Sequence, residues 1–476
     1  MREQDTNSTV STLDALFQEA DTWHVNTGGE TIHAKRMSGR WRSIKWLSSS
    51  IYLFFFFGPY LRWGERQAVL FDIPERQFHL FGATVLPQDF WMLALLMLFF
   101  AILLLVLTVM SGRVWCGFFC FQTVWTDIYT LIEEKLEGAP QQRRRLATAP
   151  MSMQKIGAKA AKHTLWLVIA VLTGIAFCAW FTDGYALWVD VFALDLNTAA
   201  WTTIILFTAG TYLLAGFMRE QTCMWLCPYA RIQGAMVEPN TVLPTYDFTR
   251  GEPRSRLRKS GGDDAPKAGD CIDCNQCVAV CPTGVDIRNG QQEGCIMCAL
   301  CLDACDAVMD KVGRPHGLIR WESLDGLEGR ETRPLLKRPR VWILNGILLA
   351  SLLGIGYGLS TIDALELKVL HERQPLFVLQ SDGSIQNRYT LKLLNKLPKD
   401  TQIKVSATGP EGLVLVGVDE LVSARQGNVT AAIVFARVPR DIMTTESVPI
   451  VFKIETEAEG QLFSSQRESV FIGPKR

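Results

Sequence analysis

What the chain has little of narrows it first. Lys and Arg number 48 and so do Asp and Glu, so no surplus of positive charge supports a nucleic-acid partner. The opening stretch MREQDTNSTVSTLDALFQEADTW carries acids and no apolar run, which argues against a cleaved export signal. The segment 182–197, TDGYALWVDVFALDLN, has three Asp and neither Lys nor Arg. From about residue 362 onward cysteine is missing, so whatever core forms there holds without disulfides.

Cysteine is instead concentrated. Eight of the thirteen fall within 271–305, CIDCNQCVAVCPTGVDIRNGQQEGCIMCALCLDAC. Cys271, Cys274, Cys277 and Cys281 are matched in spacing by Cys295, Cys298, Cys301 and Cys305. Three thiolates at i, i+3 and i+6 can wrap one cubane, while the fourth is turned towards the cluster of the other half. The spacing therefore predicts two [4Fe–4S] clusters, one on Cys271, Cys274, Cys277 and Cys305 and the other on Cys281, Cys295, Cys298 and Cys301. Structural zinc or disulfides would leave the third Cys of each triplet unexplained. Pro282 follows Cys281 as expected, whereas Asp306 follows Cys305.

Five apolar stretches without charge, near 46–61, 90–110, 164–181, 198–218 and 341–359, predict a five-helix transmembrane α domain. The first, WLSSSIYLFFFFGPYL, is the shortest. Loop charge orients them. Lys35, Arg36, Arg40, Arg42 and Lys45 precede the first span, and Arg143, Arg144, Arg145, Lys155, Lys159 and Lys162 fall between the second and third. Both segments should be cytoplasmic and 182–197 outside; the mixed charge of 62–89 decides little. The chain then divides into a cytoplasmic lead (1–45), four spans with their loops (46–218), a cytoplasmic linker and 2[4Fe–4S] ferredoxin domain of α+β type (219–340), a fifth span (341–359) and a periplasmic tail (360–476). Reduced cysteines suit the cytoplasm.

The end of the lead, IHAKRMSGRWRSIKW, reads as a headgroup anchor, and His24 and His33 as surface residues. The stretch 249–269 reads as a charged linker, and Asn428-Val429-Thr430 as a glycosylation sequon without a role. Short alternating runs after residue 362, such as LELKVL, TQIKVSA and TAAIVFARV, predict about seven strands in an immunoglobulin-like β-sandwich.

Two further segments echo each other. CGFFCFQ places Cys116 and Cys120 just after the second span, and CMWLCPYARIQ places Cys223 and Cys227 just after the fourth. If each is helical, its two thiols share a face, and all four could converge at the inner membrane surface. Met224 could add a thioether there or face lipid. Cys178, inside the third span, reads as a packing residue.

With these motifs, the spans and the tail, the chain resembles the cytochrome oxidase accessory proteins called CcoG, FixG or RdxA over nearly its whole length. The resemblance implies a bacterial inner-membrane cupric reductase that supplies Cu(I) during assembly of cbb3-type cytochrome c oxidase. Its partners would be oxidase assembly factors or a copper transporter, together with a cytoplasmic electron donor. The family's cluster ligands carry over onto the eight cysteines above, and its Cys-x-x-x-Cys-Pro motif onto Cys223, Cys227 and Pro228. Cys116 and Cys120 are followed by Phe121 in place of proline. Soft thiolates favour Cu(I) over Cu(II), which suits all four as copper-reducing candidates. A quinol-linked electron-transfer subunit and a non-catalytic assembly scaffold are the alternatives.

Overall fold

The computed structural model describes residues 32–474, apart from 65, 75, 82, 86–89, 257–268, 331–333, 335–336, 362, 373, 398, 418–420, 444 and 459. His24 and most of the charged linker lie outside the described residues. The chain forms two compact units. One gathers the described residues of 32–58, 96–179 and 187–352; the other gathers those of 59–95, 180–186 and 353–474.

Among the described residues four helices are long and apolar enough to cross a membrane: Trp91–Ser111, Met153–Cys178, Thr198–Met218 and Pro339–Ser360. The stretch expected as the first span takes another form. It begins earlier, as helix Arg40–Ser49, turns at Ser50 and Ile51, and resumes as Tyr52–Phe57 and a 3-10 turn at Gly58–Tyr60. Ser50 and Ile51 keep right-handed helical backbone angles, so the helical path runs on through the break. Serines explain the interruption, because Ser48, Ser49 and Ser50 return their hydroxyls to the carbonyls of Lys45 and Leu47.

The first unit is built around Met153–Cys178, whose apolar window is 44% buried against 17–22% in the other three spans. Helix Phe121–Glu137 packs on it through reciprocal bonds. The Tyr129 hydroxyl donates to Trp166 O (2.8 Å), Trp166 Nε1 donates to Tyr129 O (3.2 Å), and Trp125 Nε1 donates to Thr173 Oγ1 (2.9 Å). Below this aromatic layer Glu133 is buried among Arg219 (2.6 Å), Arg143 (3.2 Å) and Lys162 (3.3 Å). Three cations on one carboxylate make burial of the charge tolerable.

The basic lead is no headgroup anchor. Arg36, Arg42 and Lys45 turn inward onto Asp127 at 2.6, 3.0 and 3.3 Å. Burial alone would raise the Asp127 carboxyl; Lys45, Arg42 and Arg36 hold it well below the usual carboxylate range. The backbone N–H groups of Trp41 and Arg42 donate to Asp303 Oδ2 (2.9 and 3.2 Å), so a cluster-domain carboxylate caps this helix. Burial also lowers His33 to about 4, with Arg143 adding to the effect, so this residue is not a plain surface histidine.

In the second unit the tail folds into two antiparallel sheets. Strands Val414–Val416, Val429–Val438, Ile385–Asn395 and Leu365–His371 make one in that order, with Val378–Leu379 also on Ile385–Asn395. Leu421–Ala424, Thr401–Thr408, Ser447–Ala458 and Gln461–Ile472 make the other. The inward residues of the alternating runs, among them Leu391, Val434, Ile403, Phe452 and Phe471, form one core. Among the described residues nine strands replace the expected seven, because Val378–Leu379 and Leu421–Ala424 are too short to announce themselves in sequence. The same unit holds a three-stranded sheet, Val69–Asp72, Gln77–Leu80 and Ala83–Val85, in the segment whose charge was uninformative.

Candidate electron-transfer site

The eight clustered cysteines line two cavities. Cys271, Cys274, Cys277 and Cys305 line one of about 350 Å³, walled by Ile272, Met309 and Leu318. Cys281, Cys295, Cys298 and Cys301 line another of about 370 Å³, which Cys277 also borders. The division follows the crossed pattern expected from spacing. It arises because Cys281 leaves the short helix Gln276–Ala279 towards the second half, while Cys305 sits two turns into Leu300–Val312 and points back.

Each half repeats one backbone device. Asp273 and Asn275 flank Cys274 with φ of 52° and 53°; Met297 and Ala299 flank Cys298 with φ of 56° and 59°. Non-glycine residues seldom adopt such angles, and they turn successive N–H groups towards a common centre. The amides of Gln276, Met297 and Leu300 thus face Cys274, Cys295 and Cys298.

These cavities fit [4Fe–4S] groups. Burial raises the Cys274, Cys277, Cys298 and Cys301 thiols and pushes Cys295 up to about 12, so thiolates there require cationic metal. Arg288 stands beside the first set, its Nη2 held by Asp286 (2.7 Å) and its Nη1 by Asp273 (2.6 Å). Among the described residues no group of three or more His, Cys, Asp or Glu side chains closes on a single metal ion.

The two Cys-x-x-x-Cys segments meet beside the second cavity. Neither lies on one uninterrupted helix, as the i, i+4 argument required. Cys116 belongs to Val114–Phe118, and Cys120 is the cap at which Phe121–Glu137 begins. Cys223 belongs to the π-turn Thr222–Leu226, and Cys227 caps Pro228–Met236, with Pro228 in the first turn. Both second cysteines therefore stand at a helix N-terminus. Two glutamines cross between the segments. Gln122 donates to Leu214 O (2.8 Å) and Arg219 O (3.2 Å), at the carbonyls of the wound turn before Cys223, and Cys116 Sγ donates to Gln233 Oε1 (3.1 Å).

Burial, with Cys120 and Cys227 nearby, raises Cys116 to about 11 although Arg113 opposes it. Burial followed by Cys120 and Cys116 raises Cys223 to about 12. All four sulfurs therefore share one electrostatic neighbourhood. Cys116 packs with Ile296 and Cys298, and a Cβ on Gly117 would lie 2.6 Å from Ile296 O and 3.0 Å from Cys298 Cα. Met224 does not turn to lipid: its methyl lies 2.8 Å from where a Gly294 Cβ would stand, next to Cys295. Arg113, the arginine that opens the first segment, donates its N–H to Met297 Sδ (2.8 Å) and its guanidinium to Glu293 O.

A fold of spanning helices joined to a two-cavity cysteine domain defines a membrane-associated [4Fe–4S] electron-transfer protein. Family models agree: "4Fe-4S dicluster domain" matches 218–324, "4Fe-4S binding domain" matches 93–137, and "IG-like fold at C-terminal of FixG" matches 355–474. Nitrogen fixation protein FixG of Rhizobium meliloti is 41% identical over 414 residues, covering 79% of each chain. Proteins RdxA and RdxB of Cereibacter sphaeroides are each 40% identical, covering 80% and 81% of this chain and 83% of theirs. The chain belongs to the FixG family. A crystal structure of a FixG-related protein from Vibrio parahaemolyticus matches 23% of the chain and 97% of its own at 22% identity, with a TM-score of 0.21.

Proposed function

We propose that the protein reduces Cu(II) to Cu(I) at the four-cysteine site and that the product serves assembly of a cbb3-type cytochrome c oxidase. Cys271, Cys274, Cys277 and Cys305 would hold one cluster, and Cys281, Cys295, Cys298 and Cys301 the second. When bound, the clusters supply electrons one at a time. The observation that carries the reading is the packing of Cys116 and Gly117 onto Ile296 and Cys298, which sets the thiol quartet against the wall of the second cavity.

The residues have separate tasks. Cys223 and Cys227, with Cys116 and Cys120, bind copper as thiolates and so stabilise Cu(I) against Cu(II). Each Cu(II) accepts one electron, and each thiol that binds releases its proton. Arg113 offsets the negative charge that collects on both sets of sulfur. The clusters and the quartet face the cytoplasm in this reading, and the tail lies in the periplasm. Its support is that the described residues of 59–95, 180–186 and 353–474, the segments that alternation of five spans assigns largely to the outside, fall into one unit.

The test is anaerobic purification, metal analysis and a Cu(II) reduction assay. Close to eight iron and eight sulfide with copper reduction supports the reading. Iron near twelve would mean that the quartet holds a third cluster, and reduction of a quinone but not of copper would favour the quinol-linked alternative.

A further inference from the structure

A small pocket opens where the lead, helix Phe121–Glu137, the Arg219 turn and the 280–283 loop meet. Arg36, Arg42, Lys45 and Arg219 line it against two carboxylates, Asp127 and Glu220. The first three cations share Asp127, with Arg36 also reaching Glu134 (3.4 Å), and cations outnumber the carboxylates of the wall itself. Arg219 is only 5% exposed. Its Nη2 holds Glu133 and its Nε donates to Gly216 O (2.8 Å), while Nη1 is buried without a partner in the protein. Arg42 Nε and Thr123 Oγ1 are likewise buried and unpartnered. Buried donors are nearly always bonded, so three of them on residues that line one basic pocket call for an acceptor that carries negative charge. Cys223 belongs to the same wall.

We propose that this cavity binds an oxyanion, and that in the reaction proposed above the oxyanion is the carboxylate ligand with which Cu(II) arrives. The second clause rests on the copper reading; the first does not. Arg219 and Arg42 take the carboxylate oxygens, the Thr123 hydroxyl adds a third donor, and the chelated metal is presented to Cys223.

The experiment uses the anaerobically prepared holoprotein and citrate as the probe, first without copper. Saturable citrate binding is expected, weakened at least about tenfold in Arg219→Gln, the loss expected for a charged hydrogen bond. Arg219→Gln also disturbs Glu133, so Thr123→Val is the second variant. It removes an unpartnered hydroxyl and leaves thermal stability equal or higher, yet weakens citrate binding; a merely structural threonine would not show that combination. Copper reduction is then compared between Cu(II)–citrate and a cationic Cu(II)–ethylenediamine complex, with KM for citrate complex raised more than KM for the cationic complex in both variants. No saturable citrate binding, or equal binding by both variants, overturns the oxyanion site. Citrate binding with wild-type behaviour, but no reduction of either complex, leaves the site standing and overturns the copper reading. If phosphatidylglycerol nanodiscs bind through Arg219 and citrate fails to compete, the oxyanion is a lipid phosphate and the carboxylate assignment falls.

Discussion

The Cys116 and Cys223 segments look alike in sequence and have been put to different uses by the fold. Cys116 is 6% exposed, bonded to Gln233 and packed on Cys298; Cys223 is less covered and borders the basic cavity. Cys116 is turned to the wall of the second cluster cavity and Cys223 to the basic pocket. Copies of one motif can therefore differ in burial, because tertiary packing decides which copy keeps solvent access.

The largest effect expected from breaking this difference is on the pair that includes Cys223. Cys223→Ser with Cys227→Ser should abolish Cu(II) reduction while iron content and cluster absorbance stay at wild-type level. Loss of iron in this variant would show that the segment is part of a cluster site instead. Cys116 is tested next through its neighbour. Gly117→Val places a side chain against Ile296 O and Cys298 Cα. Overpacking of this kind costs about 1–3 kcal/mol, and it should lower the thermal midpoint and weaken the second cluster's electron paramagnetic resonance signal before the first's. An unchanged second-cluster signal would disconnect the Cys116 segment from that cavity.

A smaller effect separates the two cavities electrostatically. Arg288 faces only the first set of cysteines, so Arg288→Gln should lower that cluster's reduction potential by on the order of 60 mV, with the second nearly unmoved. Equal shifts in both, by redox titration, would contradict the assignment. The smallest effect concerns pH. His33 is depressed to about 4 in the fold, so the unfolded chain binds its proton more readily. The stability it contributes is full above about pH 6.5 and is lost as pH falls towards 4. His33→Gln should flatten the fall of the thermal midpoint across that window.

The cysteine runs were legible because cubane ligation is mostly local: three ligands at fixed offsets need only a short loop, and the left-handed angles at Asp273, Asn275, Met297 and Ala299 provide it. The sandwich was legible through alternation, since Leu391, Val434 and Phe452 face one core at every second residue. The inward turn of Arg36, Arg42 and Lys45 was not. A basic run beside a membrane is compatible with lipid, and only Asp127, far along the chain, makes burial the better outcome.

By itself the sequence determined that this chain enters a membrane, binds iron–sulfur clusters and ends in β-structure. These depend on apolar length, ligand spacing and side-chain period, all properties of neighbouring residues. Only the tertiary structure decided that two cysteine segments meet, that helix breaks at Cys120 and Cys227 present their thiols, and that Arg219 and Thr123 share one cavity with Cys223. The physical reason is that convergence of distant elements is set by close packing, as at Gly117, where the absence of a single Cβ lets one backbone rest on another.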